Sequence, residues 1–251
     1  MAAEYDAAMQ EDVPVGHRGG PPLYGRMMKA IRSGHDWGNK IRMLKLPLIF
    51  TEDTLYAGAI AQFFWLSEEL EAQLDKNAGH PMIAKVRELG LRVTPGYMAD
   101  LKQLYGEDWR EAAKAHRTAA TDKYVEDLRA ANPVSLVAAA FILYGALVVG
   151  GGKQTQAKVR KIIPSCEHQL FDVAEDMKVA RAAFKGTFTG IGKEWPEHFE
   201  TLEKEAARYM AMNNTVVVSV RCVGWRVTRV AIGVALTGVA VVAAIRMARS
   251  G

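Results

Sequence analysis

From Leu23 onward, apolar positions recur every three or four residues through Met27, Met28 and Ile31 as far as His35, the spacing of one helical face. Gly34 and Gly38 bracket the expected end of that helix. Thr51-Glu-Asp-Thr54 reads as the next start, with Thr51 as N-cap and acids in the first turn. Leu55, Ala59, Phe63, Leu66 and Leu70 then repeat on one face as far as Leu74. The helical pattern continues over 97–104, 108–116, 121–131 and 134–163, with Asn132-Pro133 as a break and Pro164 as a stop, and closes with 167–184 and 196–212. No segment alternates as a strand and no fixed-period repeat appears, so the expected class is all-α.

The pattern changes near the C-terminus. Val230–Ile245 is a run of sixteen residues without a charge. As a helix it would cover about 24 Å, slightly less than a hydrocarbon core of about 30 Å, so Arg229 and Arg246 would have to snorkel to the headgroups. Trp225 stands where an interfacial aromatic belongs, and Gly233, Thr237 and Gly238 leave a smooth face for a neighbouring helix. Residues 1–22, with Gly19, Gly20, Pro21 and Pro22 and no apolar period, read as an extended arm. The expected organisation is an arm over 1–22, a helical domain over 23–214 and a C-terminal transmembrane anchor over 215–251.

Charge supports this division. The net charge of +4 would suggest a nucleic-acid surface if it were spread over the chain. Five arginines and no acid follow Asn214, which leaves 27 of the 32 basic residues against all 28 acids in residues 1–214. The domain is therefore close to neutral, and the basic excess sits beside the apolar run, where it suits anionic lipid headgroups. Glu4, Asp6, Glu11 and Asp12 are wrong for an arginine-rich transit peptide, so targeting is expected from internal or C-terminal signals. Cys166 and Cys222 lack CxxC spacing and offer neither a disulfide framework nor a zinc site. His17, His80, His116, His168 and His198 have no partner at metal-ligand spacing and read as solvated.

Taken in order, the segments over 23–214 resemble the heme oxygenases. The short first helix carries Met28-Lys-Ala-Ile-Arg-Ser-Gly-His35, and the long second helix carries Phe63-Phe-Trp-Leu-Ser-Glu-Glu-Leu-Glu71. Asp100-Leu101, Tyr105-Gly106, Trp109 and Tyr124-Val125 follow, and then Tyr144-Gly-Ala-Leu-Val-Val-Gly-Gly-Gly152 matches the family's glycine-rich distal motif without a gap. The resemblance implies heme as cofactor or substrate, His35 as the proximal iron ligand, and Gly150 and Gly151 as the paired distal glycines that let a helix approach the porphyrin. It also implies turnover to biliverdin, iron and carbon monoxide with electrons from a reductase.

The departures bear on that turnover. Where the family has an aspartate that organises the water delivering protons at the iron, this chain has Leu147, which can neither donate nor accept a hydrogen bond. Ala146 replaces a glycine, Leu143 and Phe141 replace an arginine and a tyrosine, and Asn39 replaces an acid after the proximal histidine. Lys178 and Arg181 neighbour the region expected to meet the heme propionates. The leading expectation is a non-catalytic, membrane-anchored accessory subunit of a respiratory-type complex, with membrane lipid and other subunits as partners. The mitochondrial inner membrane is the favoured location, with the endoplasmic reticulum or another organelle as the alternative. An active heme oxygenase and a heme carrier or sensor are the competing functions.

Overall fold

In a computed structural model the chain is described over residues 22–150 and 152–225, with 228–229, 232–235 and 237 beyond them. The N-terminal arm, Gly151 and most of the apolar run lie outside the described residues. Among those described there are ten α-helices and no strand: α1 (Leu23–Ile49), α2 (Asp53–Lys76), α3 (Pro81–Arg87), α4 (Thr94–Tyr105), α5 (Trp109–Ala115), α6 (Ala119–Ala130), α7 (Pro133–Val148), α8 (Gly152–Ile162), α9 (Met177–Glu194) and α10 (Phe199–Ser219). The all-α class follows.

α1 does not stop at His35. It runs on to Ile49, and the two glycines expected to end it are sites of close contact instead. A Cβ at Gly34 would come within 2.9 Å of Met210 Cγ, and one at Gly38 would overlap the side-chain amide of Asn214. The backbones of α1 and α10 thus approach more closely than larger residues allow, and that packing offsets the helix cost of glycine, about 1 kcal/mol each. The two helices run parallel. Arg26 pairs with Glu203 near their starts, Gly34 and Gly38 meet Met210 and Asn214 midway, and Lys45 Nζ donates to the Val217, Val218 and Val220 carbonyls at the far end. Lys45 there satisfies orphan carbonyls and opposes the negative end of the α10 dipole. α10 crosses residue 214 without interruption, and Val216, Val217 and Val220 are buried in the core.

α7 is the central helix, and residues 135–144 are buried on every side, which is why its sequence shows no amphipathic period. Asn132 caps it by accepting from the Ser135 amide at 2.9 Å, with Pro133 at its first position. The single helix expected over 134–163 is two. The Val149 and Gly150 amides both donate to the Gly145 carbonyl, at 2.9 and 3.2 Å, opening a wide final turn before α8. A Cβ at Gly150 would overlap the Ala146 carbonyl, so the turn requires glycine there.

Two further starts differ from expectation. Thr51 does not cap α2: its hydroxyl donates back to the Leu48 carbonyl, and the chain enters the helix through extended Glu52. The helix expected from 167 begins only at Met177, where Asp176 accepts from the Lys178 and Val179 amides. Among the described residues no helix is long and apolar enough to cross a membrane. The anchor expected over 215–251 lies mostly outside them.

Candidate functional site

Tyr24 fixes the direction in which α1 looks. Its ring meets Phe141 of α7 edge-on at 5.9 Å and Phe184 of α9 at 6.5 Å, at the margin of a cluster in which Phe141 stacks on Phe184 and Phe188 packs against both. His35 lies eleven residues on, about three turns and within roughly 20° of the same direction, so both side chains leave the same face of α1. About 16 Å of helix separates them.

The imidazole of His35 is mostly covered, with 22% of its side chain exposed and Nδ1 3.8 Å from Asp36 Oδ1. Burial, and then the positive charge of Arg42, hold its pKa below the usual histidine value, against the opposing pull of Asp36. The neutral ring is the form that ligates iron. Asn39, one turn on, is half-buried.

The last turns of α7 are accessible on one face only. Ala146 and Gly150 are exposed and stand one turn apart, while Gly145 and Val149 beside them are half-buried. That strip carries nothing larger than a methyl group at its two exposed positions. Leu143, Leu147 and Phe141 point into the core, each under a tenth exposed. The position matching the family's distal aspartate is thus an apolar core position. Arg181 donates from Nε to the Val148 carbonyl at 3.0 Å, which brings a guanidinium from α9 to the end of this strip, and Lys178 is exposed one turn earlier. Gly151 lies outside the described residues.

The residues present fit a heme in their donor chemistry: a neutral imidazole on one helix, a nearly side-chain-free helix end on another, and a cation at its rim. Two cavities lie elsewhere. One of about 400 Å³ is lined by Glu71, Asp75, Arg87, Arg92 and Tyr144, where Asp75 accepts from Arg92 at 2.6 Å and pairs with Arg87 at 3.1 Å. The other, a groove of about 370 Å³ between α1 and α10, opens beside Trp37.

One histidine departs from its reading as solvated. His168 is fully buried, in a left-handed conformation at φ 57°, ψ 46°. Its Nε2 faces the Ile163 carbonyl at 2.9 Å, so that nitrogen carries the proton, and Nδ1 accepts from the Tyr56 hydroxyl at 2.9 Å. Next to it, buried Asp100 accepts from the Gln169 and Leu170 amides at 2.6 and 2.8 Å, and the Cys166 thiol is pushed up to about 12 by burial. This network ties the irregular segment after Pro164 to α2 and α4. Periodicity carries no signal for it, because its members come from three distant stretches.

The fold and site now stand beside known proteins. The Heme oxygenase family model matches residues 25–217. Heme oxygenase 1 of Nostoc sp. is 27% identical over 133 residues, which span 51% of this chain and 55% of that protein, so the match covers just over half of the curated relative's length. The crystal structure of heme oxygenase 2 from Chlamydomonas reinhardtii without heme superposes with a TM-score of 0.72 at 25% identity, over 80% of this chain and 98% of that one. Heme oxygenase-1 from the cyanobacterium Synechocystis sp., in complex with heme, gives a TM-score of 0.69 at 20% identity over 86% and 98%, a likeness of fold. The chain belongs to the heme oxygenase family.

Proposed function

We propose that this chain is a family member that keeps a heme-binding face without turnover and serves, anchored by its C-terminal run, as an accessory subunit of a membrane complex. The observation that carries the reading is the end of α7. Its exposed strip at Ala146 and Gly150 is shaped to lie against a flat ligand, while Phe141, Leu143 and Leu147, where the family places polar groups, are buried and apolar. Bound heme supplies an iron centre at which oxygen chemistry is possible. His35 would hold it, Ala146 and Gly150 would cover it, and Arg181 stands at the rim. Nothing at position 147 can hold or pass a proton, and positioned proton transfer contributes about 10²–10⁴-fold in rate.

The sixteen-residue uncharged run and its flanking arginines support a membrane location, with the mitochondrial inner membrane favoured because its large complexes recruit enzyme-like subunits. An active heme oxygenase is the second reading, favoured by the neutral His35 on the face that Tyr24 turns toward α7 and α9. The full-length protein, and the same protein with His35→Ala, would be titrated with hemin and then supplied with a reductase and oxygen. The expected result is a Soret band that His35→Ala removes, with no biliverdin absorbance. Biliverdin formed by the parent protein and abolished by His35→Ala establishes the second reading instead, and a band unchanged by His35→Ala removes the ligand assignment.

A further inference from the structure

On α1, the side turned away from His35 carries two large exposed apolar residues. Leu44 stands nine residues beyond the histidine, two and a half turns, and therefore on the opposite face. It is 72% exposed, and Trp37, two turns earlier on that same outward face, is 49% exposed, with exposed Lys40 between them. Water-facing residues of this size in a row are not explained by the packing of the domain.

The row leads toward the place where the chain leaves the domain. Lys45, next to Leu44, holds the last carbonyls of α10, so the exposed Val218 lies at the same end of the helix pair. The chain then passes Gly224 against the carboxylate of Glu52, just beyond the end of α1. Trp225, 55% exposed, follows with the Arg229 guanidinium 4.8 Å above its ring. Ile232 and Val234 continue the exposed apolar series into the uncharged run. After Glu205 the chain contains no acid.

Tryptophan beside lysine and arginine, next to exposed aliphatic residues, is the composition of a surface that sits at the level of lipid headgroups. We propose that the outward face of α1 at Trp37, Lys40 and Leu44, together with Trp225, lies on an anionic bilayer and sets the tilt of the domain against the membrane. The proposal rests on the reading of the C-terminal run as an anchor. It adds a second contact. An anchor alone would leave the domain free to swing on its connection, whereas this face would hold His35 on the side away from the lipid.

The test uses the full chain with Cys222→Ser and one introduced cysteine, either Leu44→Cys or, on the exposed face of α6, Lys123→Cys, labelled with an environment-sensitive fluorophore. Cys166 is buried and its thiol is held protonated at neutral pH, so it stays unlabelled. The protein is mixed with vesicles of phosphatidylcholine containing phosphatidylglycerol, and with pure phosphatidylcholine. Flotation at about 1 M salt, where screening falls to about 3 Å, reports the anchor alone. The expected result is flotation together with a blue shift and severalfold stronger quenching by lipid-borne nitroxide at position 44 than at 123, weakened in pure phosphatidylcholine and by Lys40→Glu. Flotation with position 44 as exposed to water as position 123 overturns the lipid contact and leaves the anchor standing. A shift at 44 in low salt without flotation in high salt upholds the contact and removes the anchor. Neither signal removes both. Protection of 44 that needs a protein partner rather than lipid assigns the face to that partner and overturns the proposal.

Discussion

The side-chain amide of Asn214 donates to the carbonyl of Gly34 at 2.7 Å, and its Oδ1 rests against Gly38 one turn on. Asn214 is only 4% exposed. A single α10 residue therefore reads two glycines on α1, and the contact brackets His35, which lies between them in sequence. The distance between α1 and α10, and with it the position of the candidate iron ligand, depends on those glycines remaining without side chains.

Gly38→Val tests this dependence. The valine methyls would meet the buried Asn214 amide, and overpacking of this kind costs about 1–3 kcal/mol. The melting temperature is expected to fall by roughly 2–4 °C per kcal/mol in a domain of this size. Hemin affinity should fall with it, because relief of the clash moves α1. Calorimetry and a Soret titration of the same preparation give both numbers, and an unchanged melting temperature would show that the pair tolerates a wider spacing.

Most of the fold was legible in the sequence, and what was not has physical causes. The order of helices follows from apolar periodicity, and His35 and Ala146 stand on the elements expected, whereas Gly150 lies in the turn that follows α7. α1 reads as ending at Gly34 and Gly38 because a helix-breaking propensity and a close helix contact select the same residue, and only the partner helix tells them apart. The division after Val148 was hidden because Gly150 reads equally well as close packing within one long helix, whereas the Gly145 carbonyl accepts from two amides there. His168 reads as solvated because its partners Tyr56 and Ile163 lie 112 and 5 residues away and form no local pattern.

That buried histidine gives a second prediction. In Tyr56→Phe the Nδ1 atom of His168 loses its donor in a site closed to water, and an unsatisfied buried acceptor costs about 1–3 kcal/mol. Urea denaturation should show a lower midpoint with an unchanged slope, since the surface exposed on unfolding stays the same. Hemin binding should not change. A loss of hemin binding with stability intact would instead place this network in the ligand site.

The pH dependence of ligation follows from His35. Its pKa is depressed below the ordinary value of 6.5 by burial and by Arg42, so the unfolded chain takes up a proton at higher pH than the folded one does. The stability and the iron ligation that depend on the neutral ring are then complete above 6.5 and are lost as pH falls below it. A Soret band followed from neutrality downward should persist through 6.5 and fade only beneath it. Arg42→Gln, which removes one of the two causes, should move the loss to higher pH. A midpoint that does not move would exclude the Arg42 charge as a cause.

The last prediction concerns Leu147, the residue that separates this chain from the family's chemistry. The simplest repair is Leu147→Asp, but the structure places this side chain in the core, 7% exposed, while the strip that would face a heme is formed by Ala146 and Gly150. An aspartate there exchanges buried apolar contacts for a carboxyl at a core position. The cost is expected to reach about 3 kcal/mol or more. Burial would raise the pKa of the new group above its ordinary value of about 3.9, so the ionised form carries the penalty. The deficit relative to the parent protein should therefore be largest near neutrality and narrow as pH falls toward about 4, which denaturation at several pH values would measure. No biliverdin should form in hemin-loaded protein given a reductase and oxygen. Turnover gained without loss of stability would mean that the side chain at 147 reaches the heme face after all, and that one substitution separates this chain from an active heme oxygenase.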